Sequence, residues 1–61
     1  MTLKEWLRRN KRRGLKSDLA GKVGVTRQTI TNLAAGDVPS VSLALRICEH
    51  TGREVGVADW P

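Results

Sequence analysis

Apolar residues recur along the chain in four clusters, each at helical spacing. Leu3, Trp6 and Leu7 stand at i, i+3 and i+4, while Leu15, Leu19 and Val23 are spaced by four with Ala20 beside them. Ile30, Leu33 and Ala34 form a third set, and Val41, Ala44, Leu45, Ile47 and Cys48 form a fourth. Between them lie Gly14, Gly24-Val25-Thr26, Gly36 with Pro39-Ser40, and Thr51-Gly52, all residues that stop or start helices. The pattern predicts an all-α chain of four short helices, with room for a fifth turn near the end.

The ends of these helices carry their own signals. Thr2-Leu-Lys-Glu5 fits a capping box, with Met1 and Trp6 as its hydrophobic staple, so the first helix is expected from Leu3 to Arg12 or Arg13. Arg8, Arg9, Lys11, Arg12 and Arg13 then complement the dipole of its last turns, and Gly14 supplies the stop. The second helix is expected from about Lys16 to Val23, closed by Gly24; Gly21 inside it has no evident purpose. Thr26 caps a third helix to about Ala35, which leaves Arg27, Gln28, Thr29, Thr31 and Asn32 facing out. Ser40 caps a fourth, with helical spacing from Val41 to His50 and no hairpin turn. The tail from residue 53 to 61 has no clear period and is expected to hold at most one short turn near Val57 to Trp60. Val55, Val57 and Trp60 there either pack back on the body or meet a second subunit.

Length narrows the chemistry. A chain of 61 residues is expected to form one domain, in a size range where folding buries only about 60% of the unfolded chain's surface. A large enclosed active site is therefore not expected. Cys48 is the only cysteine, so no intramolecular disulfide or cysteine-based zinc site is available, and a reducing compartment suits the chain. No apolar run is long enough for a signal core or a membrane span, and the expectation is a soluble cytoplasmic protein without membrane contact. His50 is the only histidine and has no serine, cysteine or carboxylate in a catalytic pattern; Cys48 shares an apolar face and reads as a small buried hydrophobe. Gly21-Lys-Val-Gly24 lacks the length and order of a phosphate-binding loop. No enzyme, cofactor, metal or small-molecule substrate is expected.

Charge points towards a partner. Residues 1 to 36 carry nine basic and two acidic side chains, a net +7, whereas residues 37 to 61 carry two and four, a net −2. That asymmetry favours a polyanion on one side of the body, most simply nucleic acid, over the alternative of a solvated basic helix end.

The order Gly14-Leu-Lys-Ser-Asp-Leu-Ala20, Val23-Gly-Val-Thr26, Ile30, Leu33, Gly36 and Pro39 resembles the helix-turn-helix of the phage repressor and Cro family, across residues 14 to 52. It is similar to small Cro-like repressors and to prophage antitoxin-type regulators. The resemblance implies a helix-turn-helix over about residues 16 to 35, with the third helix in the DNA major groove. It places Arg27, Gln28, Thr29 and Asn32 at base-reading positions. Arg27 suits guanine O6 and N7, Gln28 suits adenine N6 and N7, and the Thr29 methyl suits thymine. Contacts to phosphate are expected from Lys16, Ser17, Thr26 and Thr31, with the basic cluster from Arg8 to Arg13, Arg12 and Arg13 foremost, on flanking backbone. The family usually has glutamine where Lys16 stands, a departure that favours direct phosphate contact and removes a bracing side chain. Family members differ after the third helix, some helical and some a β-hairpin; the spacing from Val41 to His50 selects the helical form.

The favoured function is a repressor of transcription that binds a two-fold-related operator in double-stranded DNA as a homodimer. The alternative is a protein-interaction module that uses the same fold as a scaffold, for which a net +7 in the first 36 residues has no purpose.

Overall fold

The computed structural model describes residues 1–60, so residue 61 of the tail lies outside the described residues. Four helices follow one another: α1 (Leu3–Arg9), α2 (Leu15–Val23), α3 (Arg27–Ala34) and α4 (Val41–His50). No strand occurs among the described residues. α2 is the central element and packs on both α3 and α4, while α1 closes the other side of α3.

Three of the four helices start as their hydroxyl residues dictate. The Glu5, Thr29 and Leu43 amides donate to Thr2 Oγ1, Thr26 Oγ1 and Ser40 Oγ, each at 3.2 Å. At Thr2 only this half of the capping box forms; no hydrogen bond returns from the Thr2 amide to the Glu5 carboxylate among the described residues.

α1 stops earlier than its sequence suggests, at Arg9 rather than Arg12 or Arg13. Asn10 ends it: its backbone amide and its side-chain Nδ2 both donate to the Trp6 carbonyl, at 3.0 and 2.9 Å. Continuing the helix would also stack Arg8 on Arg12 and Arg9 on Arg13 at the i,i+4 distance, where like charges repel. Lys11, Arg12 and Arg13 therefore lie in the connection. Gly14, at φ +77°, is the residue before α2 rather than the stop of α1, and α2 begins at Leu15, one residue earlier than expected.

The core is one cluster. Leu3, Trp6 and Leu7 of α1 meet Leu15, Leu19, Ala20 and Val23 of α2, Ile30 and Leu33 of α3, and Ile47 of α4. Trp6 also satisfies its indole N–H, which donates to Glu54 Oε2 at 2.9 Å, and so is a core anchor. α4 departs from the expected face. Val41 is 76% exposed and Leu45 49%, while Leu43, Ala44 and Ile47 turn inward. The helix is apolar at so many positions that spacing alone did not select which side docks.

Thr51 turns the chain back after α4. Its hydroxyl donates to the Ile47 carbonyl at 2.7 Å and accepts the Val55 amide at 3.3 Å, although it is nearly fully buried. Val55 is thereby driven to 0% exposure in the core, so of the two roles open to it, packing on the body or meeting a second subunit, it takes the first and is no dimer contact. A single tight turn follows at residues 56–59, as expected, held by the Asp59 amide on the Gly56 carbonyl and the Gly56 amide on Asp59 Oδ2. Asp59 Oδ2 also receives the Met1 ammonium at 2.9 Å, which joins the two ends of the described chain.

Gly21 is exposed on α2, and a Cβ added there meets nothing within 4 Å. Gly21→Ala is accordingly expected to stabilise the domain by about 0.5–1 kcal/mol, since alanine has less backbone freedom to lose. In a domain this small that amounts to a rise of roughly 3–8 °C in thermal midpoint, readable by circular dichroism.

Candidate nucleic-acid interface

α2 and α3 are joined by the shortest connection in the chain. Gly24 takes φ +81°, and the Gly24 and Val25 amides both donate to the Ala20 carbonyl at 2.9 Å, which closes α2 and redirects the chain at once. Arg46 of α4 reinforces the turn, with Nη1 donating to the Val23 carbonyl at 3.5 Å. Thr26 then opens α3. With only Ile30 and Leu33 fully inside, most of α3 is left as outward surface.

On that surface Arg27, Gln28 and Asn32 are exposed together. Gln28 Nε2 donates to Asn32 Oδ1 at 3.0 Å, one turn apart, which links the two amides. Thr29 sits apart from them, half-buried, its hydroxyl 3.0 Å from Thr26 Oγ1. The Thr26 hydroxyl is thus engaged in the cap, and the Thr31 hydroxyl donates to the Arg27 carbonyl at 3.2 Å. Of the four base-reading candidates, the structure brings three onto one exposed face and turns the fourth towards the cap.

The start of α2 has no side-chain cap. Its Lys16 and Ser17 amides have no acceptor among the described residues, so they present the positive end of the helix dipole to solvent. Around them lies an open basin of about 310 Å³, walled by Lys11, Arg12, Gly14, Lys16, Ser17 and Arg27. The basin brings residues of the α1–α2 connection, α2 and α3 to one place, with four cations at its edge. Free amides, a hydroxyl and cations in one concavity suit a phosphate group. Arg13 is exposed but does not wall the basin.

Arg12 has a competing partner. Its Nη2 lies 2.6 Å from Asp18 Oδ2, and Lys22 Nζ approaches the same oxygen at 3.6 Å. The Arg12 hydrogen bond, with the Lys22 charge second, holds the Asp18 carboxyl below its usual value of 3.8. What the pairing adds to stability is present above that usual value and is lost as pH falls through the lowered one. Near neutral pH Asp18 is therefore ionised and restrains two cations beside the basin. Asp18→Asn is expected to release them, tightening binding to random duplex and steepening the slope of log K against log salt by up to about one unit. Anisotropy titrations over a salt series measure both.

Among the described residues, no group of histidine, cysteine and carboxylate side chains is placed to hold a metal ion. His50 is exposed at the end of α4 and Cys48 is half-buried beside the core. No helix of the described residues is long and apolar enough to cross a membrane.

Comparison with known families agrees with this geometry: a helix-turn-helix family model matches residues 5–57, from α1 through the turn after α4. The chain belongs to the helix-turn-helix family, of the Cro and repressor kind. It is a helix-turn-helix regulator of transcription that binds double-stranded DNA. No curated protein and no solved structure matches the chain. In this helix-turn-helix protein, α2 and α3 with the Gly24-Val25-Thr26 turn form the motif, and the exposed side of α3 is continuous with the basin at the start of α2.

Sequence reasoning passed over two residues that shape this interface. Arg46 braces the turn from α4, and no local pattern announces so distant a contact. Lys4 lies on the edge of a second basic depression between α1 and α3, and its signal was available: a cation in a helix's first turn.

Proposed function

We propose that this regulator is a Cro-like repressor that binds a two-fold-related operator as a homodimer and blocks promoter DNA. It acts as a single domain over residues 1 to 61, in which α3 lies in the major groove with Arg27, Gln28 and Asn32 towards base edges. Lys16 and Ser17 hold a phosphate at the start of α2, and Arg12 and Arg13 hold flanking backbone. The observation that carries this reading is the shared exposed face of α3 beside a basin of free amides and cations. Thr29 has its methyl for an apolar contact, whereas Thr26 and Thr31 serve through backbone placement because their hydroxyls are engaged.

Size supports the dimer. The domain measures 27 × 21 × 20 Å, less than the roughly 34 Å that separates successive half-sites on one side of a duplex. One copy therefore covers one half-site. Val57, 51% exposed, remains available to a partner, together with Val38, Val41 and Leu45, whereas Trp60 packs on the core with its indole nitrogen buried. These lie in the half of the chain with net −2.

Selection of bound sequences from random duplex tests the whole reading. The expected product is a sequence with two-fold symmetry and half-sites one helical turn apart, bound by two copies in sedimentation. Enrichment of no sequence, or a single unrepeated site bound by one copy, overturns it.

A further inference from the structure

The exposed side of α1 breaks two local rules. Lys4 stands in the first turn, where the helix dipole disfavours a cation, and it faces Arg8 one turn on, a like-charged pair. Neither side chain has an acidic partner among the described residues. In a helix of seven residues both features work against folding, and such departures from local preference collect where a surface has a task.

The shape of the molecule supplies that task. Between α1 and α3 runs an open furrow of about 510 Å³ with Leu7 in its floor and Lys4, Arg8, Lys11 and Lys16 along its edges, bordered by Thr31. No acidic residue lines it. Leu7, Lys11 and Lys16 also wall the basin at the start of α2, so furrow and basin form one continuous depression. Asp18, the carboxylate that restrains Arg12, borders neither.

We infer that the furrow is a track for the DNA phosphodiester backbone, in which Lys4, Arg8 and Lys11 hold the strand that passes α1 while α3 occupies the neighbouring groove. This rests on the placement of α3 in the major groove and extends the grip on DNA from the start of α2 to the far end of α1. An open depression edged by separate cations fits a line of repeated charges, whereas a single small anion needs convergent donors. Lys4 and Arg8 are about 6 Å apart along the helix axis, and phosphates follow one another every 3.4 Å of axis along a strand, so the pair spans one to two steps. The repulsion between these cations is relieved when the strand lies between them. Binding thus draws on a cost that α1 carries when free.

The test uses the full chain and a labelled random duplex of about 30 base pairs, titrated by anisotropy from about 50 to 200 mM salt. Lys4→Gln and Arg8→Gln are each expected to make the log K against log salt slope shallower by about 0.9 and to weaken binding roughly fivefold near 0.15 M salt. Arg53→Gln, which removes the same charge outside the furrow, is expected to leave the slope unchanged. Lys4→Glu separates binding from folding: affinity falls further, while the thermal midpoint rises because a carboxylate now meets the helix dipole and pairs with Arg8. Unchanged slopes for Lys4→Gln and Arg8→Gln, or an equal change for Arg53→Gln, overturn the track. Base discrimination by α3, measured separately with Gln28→Ala, is unaffected by that outcome.

Discussion

Ile30→Ala is expected to abolish DNA binding without removing any group that faces DNA. Ile30 is at 0% exposure and is one of only two α3 residues fully inside the core, the other being Leu33. Truncating such a side chain costs about 2–5 kcal/mol, the lost transfer energy plus the cavity left behind. A single core in a chain this short rarely supplies more than about 3–5 kcal/mol in all. The substitution therefore removes most of the margin, and the first element to lose its seat is α3. Thermal unfolding followed by circular dichroism should show a midpoint lowered by at least about 10 °C, or no cooperative transition. Ile30→Val, costing about 0.5–1.5 kcal/mol, should keep both fold and DNA binding. Full DNA affinity in a folded Ile30→Ala protein would show that α3 is held by something other than its two buried side chains.

Ile30 also shows why so much of this fold was legible in the sequence. In α3 the apolar residues are few and well separated, so Ile30 and Leu33 can point only one way, which leaves Arg27, Gln28 and Asn32 exposed. The caps at Thr2, Thr26 and Ser40 are equally explicit, because one hydroxyl before an apolar run satisfies one specific amide. α4 lacked that economy. With Val41, Leu43, Ala44, Leu45, Ile47 and Cys48 in one helix, several faces are apolar enough to dock, and only the position of α2 decides for Leu43, Ala44 and Ile47.

The end of α1 was hidden for a different reason. A basic run suits a helix C-terminus, yet the same run repels itself if the helix continues, and Asn10 settles the balance through one carbonyl. Val55 was hidden because its burial depends on the Thr51 hydroxyl, a contact across a turn with no period to mark it. At the interface, Arg27, Gln28 and Asn32 could be found as the polar side of a short helix, whereas the withdrawal of Thr29 to its cap, and of Arg12 to Asp18, are choices between competing partners. Such competition is decided by distances, which a sequence does not carry.

The Gln28 and Asn32 pair leads to the sharpest functional expectation. A glutamine amide has two N–H donors and one carbonyl; one donor is engaged by Asn32 Oδ1, which leaves one donor and the carbonyl for a base. Those are the two groups that adenine N7 and N6 require, so the contact forms without breaking the bond that orients it. Gln28→Ala should then lose about 1–3 kcal/mol of discrimination per half-site, roughly 5- to 150-fold on the selected operator, with little change on random duplex. Asn32→Ala should lose part of the same discrimination, because the glutamine is then free to turn. Arg12→Ala should behave differently in kind, weakening operator and random duplex alike and flattening the salt dependence by up to about 0.9 units. That flattening falls short of a full unit to the extent that Asp18 already holds the guanidinium in the free protein. Titrating the three variants on both duplexes over a salt series distinguishes reading from gripping: equal losses on operator and random DNA for Gln28→Ala would mean that the exposed face of α3 grips the duplex without reading its bases.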